Sequence, residues 1–573
     1  SVIIGNPPYN ANQQNENDNN QNKRYKRIDE RIKETYVKKS IAQKTKVYDM
    51  YSRFYRWASD RIHDDGIITF ITNRSFIDKK TFDGFRKSLK EEFNYIYIID
   101  LQGDIRANPK MSKSNVFNIL TGVAIVFLIK KKNTNKNVIK YFSLNFEKKD
   151  EKFEFLIENK ILNIPFERII PDKNGNWIDI IENDFEKHIP ICNKKTKLSK
   201  NKNDENAIFK LYSLGVSTAR DEWVYDFDKK NLSKKIRYFF REYRELSKII
   251  KSKSLKNYKE IHDFLYKKET NKTIKFTSEL ENYLRKNKKL IYRKKQIRTT
   301  LYRPFVKKYL YYDKIITHRI YQNKHIFGIK NHLENKVISF VSGSRLDFSA
   351  ISTNCIPNLT IFSLDPSQNL PFYIYDENNE KTENITNFAL EKFKNFYKNN
   401  AINKEKIFSY VYAVLHNPAY GKKYEINLKR DFPRIPFYND FEKWVKFGEE
   451  LMNLHLNFEN AKAYNLEIEN KNLQKFSNVK LRFNKNKDEI FIDENTKLKN
   501  IPEIALEYKL GNRSALEWIL YQYKEKKIRD KTIFKYFNNY KFSDYKNELI
   551  DLLKKICTIS VETMKIVNQM KNL

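Results

Sequence analysis

The chain has 573 residues, 40% hydrophobic and 14% aromatic, which excludes a disordered tail and leaves room for several domains with cores of their own. Its 110 Lys and Arg against 71 Asp and Glu leave a net charge of +39, a surplus that points to a polyanion, most simply nucleic acid, with a Lys- and Asn-biased proteome as the plainer alternative source. Three scattered cysteines and eight histidines without ligand spacing exclude a disulfide framework and a structural zinc, and no apolar run approaches membrane-spanning length, so a reducing cytoplasmic setting is expected.

Residues 1 to about 135 alternate short apolar runs with amphipathic stretches, as an α/β domain does. VIIG (2–5) reads as a buried strand that runs directly into Asn-Pro-Pro-Tyr, and ANQQNENDNNQN (11–22) reads as a polar loop. Val47, Met50, Tyr51, Phe54 and Trp57 recur at helical spacing. GIITFIT (66–72) is the next strand, and Ser75 is positioned to cap one helix through FIDKKTFDGFRKSLKEEF. YIYIIDL (95–101) and TGVAIVFLI (121–129) follow as strands, separated by a loop holding GDIRANPK. Residues 136–205 are rich in Lys and Asn and are expected to include a linker. Between 206 and 445 the pattern is mixed, with a basic helical region at 229–300 and strand-like pieces near 336–341 and 360–375. Residues 446–573 read as mainly helical, and Ser514 with Glu517 forms a capping box that opens one of those helices.

The tetrapeptide Asn6-Pro7-Pro8-Tyr9 carries chemistry. Two prolines fix the backbone just past the strand, so the Asn6 side chain and the Pro7 carbonyl are held near one point as uncharged acceptors. Such a pair suits an exocyclic amine, accepting its two hydrogens and turning the nitrogen lone pair toward an electrophile. Tyr9 offers a flat face to a base taken out of the stack. Together these describe methyl transfer to the amino nitrogen of adenine. The alternative is a strand that ends in a proline turn. A second copy, Asn417–Tyr420, lacks the second proline, follows a helical stretch and is read as such a turn.

NPPY after an apolar strand resembles motif IV of the amino-group DNA methyltransferases of the adenine-specific class. Further strings, among them FITNRSFIDKKTFDGFRK, LQGDIRANPK, NVFNILTGVAIVFLIKK, LDPSQNLPFYIYD, YVYAVLHNPAYGKKYEINLKRDFPRIPFY and YKLGNRSALEWIL, resemble the C-terminal part of type ISP single-polypeptide restriction–modification enzymes. The resemblance implies an α/β fold: an incomplete Rossmann-like methyltransferase sheet over 1–135, a linker over 136–205, a mixed α+β target recognition domain over 206–445 and a helical C-terminal region over 446–573. It implies double-stranded DNA as partner and S-adenosylmethionine as cofactor of a complete bacterial enzyme, with a nuclease and an ATP-dependent translocase earlier in the same polypeptide. Asn6, Pro7, Pro8 and Tyr9 would hold the flipped adenine, and Phe117 would stack on its other face; a core phenylalanine is the competing reading of Phe117.

A glycine-rich turn after a strand would mark the cofactor cradle, yet no two of the twelve glycines form GxG. The cofactor-binding half is therefore expected upstream, this piece is expected to be inactive and to bind no cofactor tightly alone, and VIIG is expected to expose an unpaired apolar edge. The alternatives are a DNA sequence-recognition module without chemistry and an RNA methyltransferase. For DNA contact the leading surface is 284–312, which packs Arg293, Lys294, Lys295 and Arg298 before Arg303 and a tyrosine-rich strand. Its competing reading is a solvated helix followed by a core strand. Arg220, between turn residues and a Trp, is a second candidate. An ExK string, Glu507-Tyr508-Lys509, lies in text that looks helical and is not read as a nuclease.

Overall fold

The structure, a computed structural model, describes residues 1–8, 25–40, 45–105, 109–178, 183–266, 273–329, 332–342, 347–362, 365–470 and 479–571. The chain forms two compact units, Ser1–Glu182 and Asn183–Leu573.

In the first unit, strands Val2–Gly5 (β1), Gly66–Asn73 (β2), Tyr95–Asp100 (β3), Val123–Lys130 (β4), Val138–Ser143 (β5) and Glu167–Ile169 (β6) build one sheet in the order β1-β2-β4-β3-β5-β6. β1 pairs with β2 in parallel, as β3 does with β5, and β4 runs antiparallel between β2 and β3. Strands β1, β2, β3 and β5 therefore all end at one edge of the sheet. Alternation sorts the faces: Ile68 and Phe70 of β2 and Ile96 and Ile98 of β3 point into a core filled by Tyr51 and Tyr55 of helix Met50–Ser59 and by Phe85 and Leu89 of helix Asp83–Glu92. On the opposite face Phe155 of helix Lys149–Glu158 stacks on Phe142 of β5 at 5.5 Å.

Three expectations change here. Residues 136–205 do not begin with a linker: β5 and β6 continue the sheet to Ile169. The helix expected from Ser75 is broken into Ser75–Asp78 and Asp83–Glu92, because Lys79 is extended and the buried Arg86 guanidinium takes the carbonyls of Phe76 and Lys79 at 2.8 and 2.9 Å. Ser75 is not the cap; its amide donates to Asn73 Oδ1. VIIG is an edge strand and not a buried one, since only Ile3 joins the core while Val2 and Ile4 are 66% and 77% exposed.

The second unit holds two four-stranded sheets at its centre. One contains Ile356–Pro357, Ile297–Arg303, Val306–Tyr311 and Tyr225–Asp226; the other contains Ser349–Thr353, Val337–Val341, Gln368–Pro371 and Ser213–Leu214. The basic region from 229 does open as a helix, Lys229–Ser252, capped by Asp228 and burying Leu232, Ile236, Phe239 and Phe240 on one stripe. Its later part does not stay helical: a 3₁₀ turn at Lys294–Gln296 leads into the strand Ile297–Arg303. Helices Lys404–His416 and Phe441–Leu456 meet at Gly448, where an added Cβ would lie 1.8 Å from the Ser409 carbonyl, so glycine alone permits the approach.

The C-terminal region is less helical than expected. Glu467–Asn470, Thr496–Lys499, Ile490–Asp493 and Val479–Phe483 form an antiparallel sheet, and a hairpin at Lys509–Leu510 and Arg513–Ser514 precedes helix Ala515–Tyr523. The capping box forms as expected, with Ser514 N donating to Glu517 Oε2 and Glu517 N to Ser514 Oγ. Asn417 of the second NPxY string caps helix Pro418–Lys423, accepting from Ala419 N at 2.9 Å, which is the turn role read for it.

Candidate functional site

Open α/β sheets bind ligands where their parallel strands end. That edge here carries Asn6 and Pro7 after β1, Arg74 after β2, Asp100 at the end of β3, and the 101–122 connection that returns into β4. Asn6 is exposed, Pro7 is buried and Pro8 is exposed. Tyr9 lies outside the described residues.

The edge is braced by buried polar groups. Asp100, with no exposed surface, accepts from Arg74 Nε and Nη2 at 2.9 and 2.8 Å, from Gln102 N at 2.9 Å and from Tyr141 Oη at 2.9 Å. Arg74 also pairs with Asp78 at 2.8 Å, tying the end of β2 to the end of β3 across the start of β4. Burial works against the Arg74 charge, but Asp100 and Asp78 outweigh it and push the guanidinium above its ordinary value. Lys152 reaches in from the opposite face and donates to the carbonyls of Leu101 and Ser114 at 2.6 and 2.7 Å, and burial lowers its basicity.

Asn115 organises the loop itself. Its Nδ2 donates to the carbonyls of Gly103 and Thr121 at 2.7 and 3.0 Å, while its Oδ1 accepts from the amides of Phe117 and Ile119 at 3.1 and 3.0 Å. The loop so pinned presents Phe117, which is 43% exposed and so is not a core phenylalanine. Asn6 and Phe117 thus lie at the same end of the sheet. An amide acceptor and an exposed ring on a rigid rim can hold a planar, amine-bearing ligand. Sequence reasoning missed the bracing: Asp100 was legible as a charge ending an apolar run, whereas nothing local marked Lys152 or Asn115.

In the second unit the expected DNA contacts divide. Arg293, Lys294 and Lys295 are exposed. Arg298 is not available: it is buried, and its guanidinium donates to the carbonyls of Phe327, Gly328 and Ile329. Arg220 is likewise buried, donating to the Ile316 carbonyl and Thr277 Oγ1, and burial pushes it down to about 10. Both arginines turn inward to backbone carbonyls, which is a structural use and corrects the expectation. Arg303 is half-buried over the Tyr302 ring. No group of three or more metal-ligating side chains occurs among the described residues, and no described helix is long and apolar enough to cross a membrane.

Residues 1–106 match the family described as Eco57I restriction-modification methylase, and residues 207–552 match the Type ISP C-terminal specificity domain. No curated protein matches. Among solved structures, the DrdV–DNA complex is 42% identical with a TM-score of 0.88, covering 99% of this chain and 56% of that one. The type ISP restriction-modification enzyme LlaGI, solved as a nuclease-deletion mutant with a DNA substrate mimic, is 31% identical with a TM-score of 0.83, over 100% of this chain and 52% of that one. LlaBIII, an ATP-dependent type ISP restriction-modification enzyme bound to DNA, is 31% identical with a TM-score of 0.82, over 100% and 37%. The first unit thus carries a methylase-related region and the second a specificity domain. The chain belongs to the type ISP restriction–modification family, and it spans about half the length of DrdV and LlaGI and less of LlaBIII.

Proposed function

We propose that the chain is the C-terminal part of a restriction–modification enzyme that methylates the exocyclic amine of adenine in a specific DNA sequence. The second unit chooses the sequence and the first holds the target base. The observation that carries this reading is Asn6-Pro7-Pro8 at the end of a parallel strand, inside the region matching a methylase family, with Phe117 exposed at the same end of the sheet. Asn6 Oδ1 and the Pro7 carbonyl accept the two amine hydrogens, which orients the nitrogen lone pair, and Phe117 with Tyr9 covers the flipped base. Positioning and exclusion of water are the chain's contribution to the step. The DNA-bound state of DrdV, LlaGI and LlaBIII supports duplex DNA as the partner.

The methylase match implies S-adenosylmethionine in a complete enzyme. The residues described here do not form its usual cradle. Gly103, which follows β3 with positive φ (83°), is crowded by Asn115, whose Cα would lie 3.0 Å from an added Cβ, and has no GxG neighbour. Cofactor contact is assigned to residues outside this chain, and a nuclease and translocase to further segments of the same polypeptide. That same lack of a cradle favours a second reading for the 573 residues taken alone: a DNA-recognition module that does not methylate.

The test is Asn6→Ala in the full-length enzyme. Methylation, followed by incorporation of a labelled methyl group into duplex DNA, is expected to vanish while DNA affinity stays within about threefold, since the residue acts on one amine and not on the backbone. Retained methylation refutes the assignment. Isothermal calorimetry of S-adenosylmethionine with residues 1–573 separates the two readings: no binding is expected, and saturable binding would reveal a cradle of another kind.

A further inference from the structure

Four cations of the second unit gather on two tyrosine rings. Lys308 Nζ lies 4.3 Å from the centre of the Tyr302 ring and 4.5 Å from that of Phe227, and the Arg303 guanidinium lies 4.4 Å from the same Tyr302 ring. Arg513 and Lys526 approach the Tyr521 ring at 4.4 and 4.3 Å. Among the described residues none of the four pairs with a carboxylate, although most other half-buried cations of this chain do. The nearby acids are already engaged: Asp221 accepts from Tyr302 Oη at 2.9 Å and from Thr218, and Asp226 pairs with Lys235 at 2.9 Å.

Gathering like charges without an anion costs free energy that ring faces only partly offset. The groups facing Lys308 are Lys526, Arg303, Asp221 and Asp226; burial first, then Lys526 and Arg303, push its basicity down to about 7 against the pull of the two aspartates. Lys526 is pushed down to about 8 by burial, Arg303 and Arg513. Beside Arg513 and the exposed Tyr521 opens a cleft of about 360 Å³, lined also by Arg482, Lys524 and Glu517, the last of which is paired with Lys487.

We propose that Arg303, Lys308, Arg513 and Lys526 form a clamp for successive phosphodiesters of a DNA strand. Cations spread over two rings beside an open cleft suit a chain of phosphates; a lone phosphate would call for donors converging on one point. The proposal rests on the DNA-recognition reading above and joins Arg303 and Lys308, inside the basic stretch 284–312, to Arg513 and Lys526, which lie outside it. Docking a phosphate favours the charged form of Lys308 that burial, and then Lys526 and Arg303, disfavour, so the clamp takes up protons as DNA binds, and affinity falls as pH rises above 7.

The experiment measures binding of a labelled mixed-sequence duplex to the 573-residue chain by fluorescence anisotropy across a salt series. Lys308→Met and Lys526→Met are each expected to lower the slope of log K against log salt by about 0.9 and to weaken binding roughly 8-fold at about 0.1 M salt. Lys526→Arg is expected to keep the native slope. Lys565→Met, exposed on the C-terminal helix and paired with Glu562, is expected to leave it unchanged. Because Lys526 is itself exposed, its effect does not depend on whether Lys308→Met folds. Calorimetry at pH 8 in two buffers of different ionisation enthalpy should show proton uptake that Lys308→Met reduces, leaving the part that Lys526 contributes. A native chain that binds DNA with slopes unaltered by both methionine variants overturns the clamp and spares the DNA reading; a native chain that binds no DNA overturns both. If inorganic tripolyphosphate binding is weakened by these variants while the DNA slope is not, the site takes a free anion and the clamp is overturned.

Discussion

Replacing Asp100 with Ala should be the most damaging single change at the sheet edge. The carboxylate has no exposed surface and receives Arg74, Gln102 and Tyr141; removing it leaves the Arg74 guanidinium, 9% exposed, with Asp78 alone. Breaking a buried ion pair by deleting one partner costs about 3–5 kcal/mol. A Tyr141 hydroxyl and the Gln102 amide also lose their acceptor, so the upper half of that range applies. Hydrogen exchange read on peptides from β3 and β4 isolates the first unit from the second. Since about 1.4 kcal/mol is a tenfold change, amide protection there should fall by roughly three decades or slightly more. The double change Arg74→Met with Asp100→Leu should recover most of the loss, because an apolar pair of similar volume avoids stranding a charge. A single change costing under about 1 kcal/mol, or a double change worse than the single one, would refute the claim that this pair holds β2 and β3 together.

Asn115→Ala removes four hydrogen bonds from the loop before β4 and should destabilise it by about 2–3 kcal/mol, exposing the Phe117 and Ile119 amides to exchange; unchanged protection at both would exclude its role in pinning the loop. Two histidines of the second unit should make it acid-labile. Burial pushes His416 down to about 4, and burial together with His416 pushes His455 well below its ordinary value. Both are neutral and cost nothing above pH 6.5; below it the unfolded chain takes protons that the fold refuses, so stability falls toward pH 4, by up to about 3 kcal/mol from His416 alone. Urea midpoints followed by tryptophan fluorescence at pH 7.5 and 4.5 check this, and His416→Gln should flatten the difference. Finally, Ile4→Lys on the exposed edge strand should reduce self-association in light scattering; an already monomeric native chain would show that the edge is harmless.

The centre of the first unit was legible because β2, β3 and β4 are apolar runs of six to eight residues with turn signals between them. Strands β2, β3 and β4 lie within two residues of their expected limits. What failed shares one cause: the decisive partner is distant in sequence. The break at Lys79 depends on Arg86 taking two carbonyls, and Arg86 is itself oriented by Gly175, whose carbonyl it reaches at 2.7 Å. The C-terminal sheet was missed because its strands are short: Thr496–Lys499 buries only every second residue and Val479–Phe483 only Leu481, too few to outweigh the basic residues between them.

The basic residues show the same limit at the level of function. A sequence window weighs charge by density, and so it selected 284–312, where Arg298 turns inward to carbonyls while Arg293, Lys294 and Lys295 face solvent. The hairpin decides otherwise. Pairing Thr300 with Lys308 and Arg303 with Val306 brings Arg303 and Lys308 to the two sides of Tyr302. Arg513 and Lys526 arrive more than two hundred residues later, on the hairpin and helix end that pack against the same core. Arg303 and Lys308 fall in the stretch 284–312 picked out by charge, but Arg513 and Lys526 are not conspicuous in their own window. A site for a polyanion is better sought where cations share aromatic faces and lack carboxylates than where they are simply numerous, because an exposed lysine run costs the fold nothing, whereas four unpaired cations on two rings leave a repulsion that a bound phosphate relieves.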